Sequence, residues 1–159
     1  MLRKILLIAV LALGGCVSGP SSAGPAPIRT ITYETGRCFG ACPVYAVTVS
    51  SDGTGRFEGK QFTTVSGEQT FAVTPQQFAN FEAALAPWRP ANGEADYSRP
   101  PLCQRMATDL PSVDVRWTAP NPAHLYFYYG CDMEKNAAMA DALRHAVDAL
   151  PIAALIKAR

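Results

Sequence analysis

Residues 112–130 read SVDVRWTAPNPAHLYFYYG, and this stretch decides the fold class. Val113, Val115 and Trp117 alternate with Asp114 and Arg116, the period of two expected of a strand with one dry and one wet face. Ala119-Pro120-Asn121-Pro122 then turns the chain. Past the turn, Leu125, Phe127 and Tyr129 oppose His124, Tyr126 and Tyr128. Two antiparallel strands are expected, over 112–118 and 123–130. Pairing Trp117 with Leu125 makes the apolar faces coincide, whereas a slip of one residue would send Val115 and Phe127 to opposite sides. The wet face then carries His124, Tyr126 and Tyr128 near Arg116 and Asp114. There tyrosines offer contact area and a hydroxyl at low entropic cost. His124, Tyr126, Tyr128 and Arg116 are therefore candidate binding residues, set against the plainer reading of a polar sheet face partly covered by rings.

Toward the N-terminus the same logic gives a strand over 44–50, with Tyr45, Val47 and Val49 on its apolar face. Asp52-Gly53 signals a hairpin, since glycine supplies the positive φ that a tight turn needs. The return strand, 54–62, sets Arg56, Glu58 and Lys60 on its wet face; Gly67-Glu68 turns again into a strand over 69–73. Thr74-Pro75-Gln76-Gln77 opens a helix, with threonine as cap, proline at the first helical position and Gln77 completing a capping box. Phe78, Phe81 and Leu85 follow at helical spacing until Pro87. The stretch 88–111 holds four prolines without a period and reads as an irregular loop. After the hairpin, Asp132 or a neighbour opens a second helix, whose stripe is Met139, Leu143, Ala146, Val147 and Leu150. Pro151 interrupts it, leaving a last short turn over 152–156. The expected fold is α+β: an antiparallel sheet with two hairpin regions and two helices packed on one face, in a single domain. No alternating βαβ pattern is present, so no nucleotide-binding crevice is expected.

The 159 residues suffice for one domain, and 48% are apolar, enough for a packed core. Charged residues reach only 17%, and the formal net charge of +1 argues against a nucleic-acid partner. Met1-Leu2-Arg3-Lys4 is followed by an uncharged apolar run, Ile5 to Leu13, and then by Gly14-Gly15-Cys16. A basic start, a short apolar run and small residues make a secretory signal, and the run is far short of the roughly 20 residues of a membrane span. Leu13-Gly14-Gly15-Cys16 resembles a bacterial lipobox. That resemblance implies a signal peptide over 1–15 and a Cys16 that is acylated and becomes the mature N-terminus, a stable membrane anchor. Removing Arg3 and Lys4 leaves 12 basic against 13 acidic side chains. Val17 and Ser18 follow the anchor where an inner-membrane lipoprotein usually has Asp, so an outer-membrane lipoprotein facing the periplasm is expected. Residues 16–27 are small, polar or proline and read as a tether, and 28–159 as the folded domain.

Four further cysteines, Cys38, Cys42, Cys103 and Cys131, in an exported chain argue for two disulfides, with three connectivities open. Cys38 with Cys42 and Cys103 with Cys131 is the preferred pairing, because the first two are close along the chain and share one loop. The segment Cys38-Phe39-Gly40-Ala41-Cys42-Pro43-Val44-Tyr45, followed by Asp52-Gly53, Gly59, Phe62 and Gly67, resembles the CFGxCPxY signature of a bacterial family, domain of unknown function 6438. Thr108-Asp109-Leu110-Pro111 is similar to that family's TDxP segment. The resemblance implies an exported or lipid-anchored domain and carries no activity; Cys103 and Cys131 lie outside its pattern.

The sharp alternative for Cys38-x-x-x-Cys42-Pro43 is thiol-redox or copper(I) handling, since soft thiolates suit Cu(I) and His124 or His145 offers a third ligand. Against it, Pro43 runs straight into a strand and not into a helix whose N-terminus would lower a thiol pKa. No nucleophile elbow, HExxH or phosphate loop occurs, so no catalytic residue, metal or cofactor is expected. The sequence therefore reads as a non-catalytic binding module for a protein or envelope component, with the thiol or copper role and a purely structural envelope role as its rivals.

Overall fold

The computed structural model describes residues 26–157; Cys16, the signal segment and all but the end of the tether lie outside them. Seven strands form one sheet: β1 (Thr30–Thr35), β2 (Val44–Ser50), β3 (Thr54–Gln61), β4 (Gly67–Ala72), β5 (Glu94–Tyr97), β6 (Ser112–Trp117) and β7 (Ala123–Tyr128), in the spatial order β4-β3-β2-β1-β6-β7-β5. Every pairing is antiparallel except β5 with β7, which is parallel. Three helices complete the fold: α1 (Pro75–Leu85), α2 (Ala137–His145) and α3 (Ala153–Ile156). The mixed α+β class expected from the sequence is what is found.

Alternation along each strand and register between strands build the core together. One cross-strand row runs Phe57, Val47, Tyr33, Val115, Leu125 and Ala95 across six strands. All but Ala95 are buried, and each such side chain contributes roughly 1.5–3 kcal/mol by leaving water. Phe78, Phe81 and Leu85 of α1 and Met139 and Leu143 of α2 belong to the same core cluster. Tyr33 touches both helices: its ring lies edge-on to Phe81 at 6.3 Å, and its hydroxyl donates to the Leu143 carbonyl at 2.9 Å.

The α1 start is as its sequence dictates. The Thr74 side chain accepts the Gln77 N–H at 3.2 Å, and the Gln77 side chain accepts the Thr74 N–H at 2.9 Å. Gly53 sits at φ +95° in the β2–β3 turn, the left-handed region that favours glycine.

The structure departs from the sequence expectations at five points, the first being that Gly67 and Glu68, read as a turn, are the opening residues of β4. β1, to which no element was assigned, is the central strand. β5 lies inside the stretch read as irregular, paired with β7 from Glu94↔His124 to Tyr97↔Phe127. In the β6–β7 hairpin Trp117 faces Ala123, and Val115 faces Leu125, two residues from the expected register. An even shift preserves both faces, so alternation alone cannot choose between the two registers. Asp132, finally, does not open the second helix: Asn136 precedes α2, and Asp132 stands in a turn at φ +37°.

Candidate functional site

The wet face of the sheet carries the sequence-proposed patch, and the register explains its state. One row runs Glu68, Glu58, Ala46, Glu34, Asp114, Tyr126 and Asp96 across the seven strands; beside it run Thr70, Arg56, Thr48, Thr32, Arg116, His124 and Glu94. Each carboxylate of the first row meets a cation, Glu34 and Glu58 sharing one. Arg56 meets Glu68 at 2.7 Å, Lys60 meets Glu34 at 2.6 Å and Glu58 at 3.9 Å, Arg116 meets Asp114 at 2.9 Å, and Arg99 meets Asp96 at 3.0 Å. His124 lies 2.8 Å from Asp114 through Nε2. Tyr126 is half-buried opposite Asp114, and the half-buried Tyr128 accepts the Leu110 N–H through its hydroxyl at 3.2 Å. The four residues do share one face. Their polar atoms, however, are largely engaged with their neighbours.

The apolar face is different. A pocket of about 620 Å³ opens there, walled by Tyr33, Tyr45, Tyr129, Pro43, Pro111 and Ile156, with Arg144, Asp148 and Lys157 among its polar lining. Tyr33 and Tyr45 stack at 6.4 Å, and Tyr45 stacks in turn on Phe57 at 5.5 Å. The Arg144 guanidinium lies 4.5 Å over the Tyr129 ring, a cation–π contact. Burial raises Tyr33 and Tyr45 well above the ordinary tyrosine range. Burial likewise pushes Tyr129 up to about 12, with the Tyr33 hydroxyl and Arg144 pulling the other way. All three phenols are therefore neutral at physiological pH.

Both segments that carry the family resemblance meet at this pocket. The Phe39 N–H donates to the Asp109 carbonyl at 3.0 Å, joining the loop 38–42 to 108–111. The Thr35 hydroxyl donates to the Pro43 carbonyl at 2.9 Å and accepts the Tyr45 N–H at 3.0 Å, which fixes the end of the loop against β1. The Tyr129 N–H donates to the Pro111 carbonyl at 3.1 Å. Cys42, Pro43, Tyr45 and Pro111 consequently line one cavity although they come from segments far apart in sequence. Sequence reasoning did not group them. Tyr45 inside the signature and Tyr129 on the apolar side of its strand were the available signals, and Tyr33 and Arg144 gave none.

The cysteines pair as preferred, Cys38 with Cys42 and Cys103 with Cys131. The second bridge ties the 98–111 segment to the end of β7, and Asp132 reinforces it by accepting the N–H groups of Gln104 at 2.8 Å and Arg105 at 3.0 Å. These bonds, the Gln104 N–H foremost, hold the Asp132 carboxyl below its usual range. Cys103, Cys131 and Asp132 form a cluster with the ligand types of a metal site, but the sulfurs are bonded to one another and both carboxylate oxygens accept backbone N–H groups. They do not fit a metal. His145 hydrogen-bonds Asp148 at 2.9 Å, and that bond raises its pKa, helped by the charges of Asp141 and Asp148. No helix among the described residues is long and apolar enough to cross a membrane.

The model of one family, a domain of unknown function (DUF6438), matches residues 29–151, most of the chain. The chain belongs to that family. No curated protein and no solved structure matches it. The pocket is thus built largely from matched residues and completed by Ala153, Ala154, Ile156 and Lys157 beyond them.

Proposed function

We propose that this chain is a non-catalytic binding module of the bacterial cell envelope, anchored through an acylated Cys16 to the outer membrane and facing the periplasm. Its binding site is the tyrosine-walled pocket, and α1 and α2 roof the apolar face of the sheet beside it. One observation carries the binding reading: the two segments on which the family resemblance rests, 38–45 and 108–111, converge on a single cavity of about 620 Å³. That volume lies within the range of small-molecule sites. The anchor rests on the lipobox-like Leu13-Gly14-Gly15-Cys16.

Two measurements test the reading. Radiolabelled palmitate fed to the producing cells labels the chain and leaves a Cys16→Ser variant unlabelled; equal labelling of both refutes the anchor. Calorimetric titration with naphthylmethanol, a flat uncharged probe, gives saturable binding that Ala154→Trp abolishes. Ala154 is exposed and lines the pocket, so the indole blocks the cavity without disturbing the core. Binding unaffected by Ala154→Trp refutes the pocket. The rival thiol or copper(I) role for Cys38 and Cys42 predicts free or easily reduced thiols at these two positions in the exported protein, read by a thiol count before and after reduction. In the structure Pro43 leads into β2 and not into a helix that Cys42 would open.

A further inference from the structure

We propose that the ligand of this pocket is a flat apolar molecule bearing one anionic group, its rings held between the tyrosines and its charge on Arg144 and Lys157. This rests on the pocket being a binding site and adds the chemistry of what enters it.

The walls set the body of the ligand. Tyr33, Tyr45, Tyr129, Pro43 and Pro111 present rings, which favour a planar partner by stacked or edge-on contact. The Tyr45 hydroxyl supplies a polar fixing point. Tyr45 is only 5% exposed, and its hydroxyl makes no hydrogen bond to the described residues. Tyr45 lines the cavity together with Tyr129 and Asp148. The hydroxyl is not cut off from solvent, and a ligand donor or acceptor takes the place of water there.

The charges set the head of the ligand. Three ionised groups line the pocket: Arg144, Lys157 and Asp148. Asp148 is already engaged by His145 at 2.9 Å. Arg144 and Lys157 form no salt bridge among the described residues, and Arg144 faces the Tyr129 ring instead. What remains is an excess of cation beside an aromatic wall. A cationic ligand, the usual guest of a tyrosine cage, finds the Tyr129 face occupied by a guanidinium and is repelled. A carboxylate or phosphate finds the planar, fork-like donor that binds it best.

The test uses one ring system with three charges. The full-length, oxidised chain is titrated calorimetrically with naphthoate, naphthylmethanol and naphthylmethylammonium. Naphthoate is expected to bind about tenfold more tightly than the alcohol, the worth of one charge-assisted hydrogen bond, and the ammonium more weakly than either. Arg144→Met erases the preference for naphthoate and leaves the alcohol within about twofold, while Arg144→Lys retains part of the preference because the charge remains. Should Arg144→Met not fold, Arg144→Lys together with Lys157→Met, which removes the second cation at an exposed position, gives the same reading through partial losses of the preference for naphthoate. Naphthyl phosphate in place of naphthoate distinguishes a phosphate from a carboxylate head, and tighter binding of either than of the alcohol supports the proposal. If the alcohol or the ammonium binds as tightly as naphthoate and naphthyl phosphate while Ala154→Trp still blocks them all, the anionic assignment is wrong and the pocket stands. If Ala154→Trp changes nothing, the pocket reading falls and this one with it.

Discussion

Removing the two disulfides separately should reveal a large asymmetry between them. The perturbations are Cys103→Ala with Cys131→Ala, and Cys38→Ala with Cys42→Ala. The bonded cysteines are 28 residues apart in the first pair and 4 in the second. In the chain-entropy model, closing rings of those lengths in the unfolded state is worth about 3.5 and about 2 kcal/mol. Burial sharpens the contrast, because Cys103 and Cys131 are 3% and 0% exposed and their loss also removes packed sulfur, whereas Cys38 and Cys42 are only half-buried. For a domain of this size each kcal/mol shifts Tm by roughly 3–4 °C, so the long ring should lower Tm by about 12 °C and the short one by about 7 °C. Differential scanning calorimetry of the oxidised protein and the two double variants reads both numbers at once. A short-ring loss equal to or greater than the long-ring loss would refute the reasoning. It would mean that the Asp132 bonds hold the 98–111 segment without the bridge, or that the loop 38–42 is needed for more than its own closure.

Three further expectations concern single positions. Thr74→Ala removes the α1 capping box and should cost about 1 kcal/mol, seen as a lower urea midpoint with an unchanged slope. Gly59→Ala places a methyl group 1.8 Å from the Val65 carbonyl oxygen, so that loop backbone must shift, and should cost about 3 kcal/mol in the same assay. The lowered pKa of Asp132 makes a signed prediction. Its stabilisation is present above the unfolded carboxylate pKa of about 3.9 and disappears as pH falls through the lower folded value. Urea midpoints followed from about pH 5 downward should therefore fall less in Asp132→Asn than in the parent; parallel curves would count against a stabilising role for the Asp132 bonds to Gln104 and Arg105.

What was legible in the sequence was local. The β2–β3 and β6–β7 hairpins, the α1 cap and the α2 stripe each declare themselves within about 20 residues, through alternation, a turn residue or helical spacing. β1 did not. Its Ile31 and Tyr33 alternate with threonines over only six residues, and its importance comes from β2 on one side and β6, some 80 residues away in sequence, on the other. β5 was hidden by the prolines around it and exists because β7 offers it an edge. The hairpin register escaped because a shift of two leaves every face unchanged. The pocket escaped for the same reason as β1: Tyr33, Tyr45, Tyr129 and Arg144 come from β1, β2, the end of β7 and α2, and nothing in any one segment announces the others.

The central place of β1 has a mechanical consequence. Any load arriving through the N-terminal segment enters the domain at Thr30, in the middle strand of seven. That strand is flanked by antiparallel ladders running from Thr30↔Ser50 to Glu34↔Ala46 on one side and from Ile31↔Trp117 to Thr35↔Val113 on the other. Tension along its axis shears both ladders together and does not peel an outer strand bond by bond. Just ahead of it, Arg29 clasps Glu82 on α1 at 2.5 Å, so the first force is shared with a helix before it reaches the sheet. A domain held at that point resists a pull best where a tether would apply it.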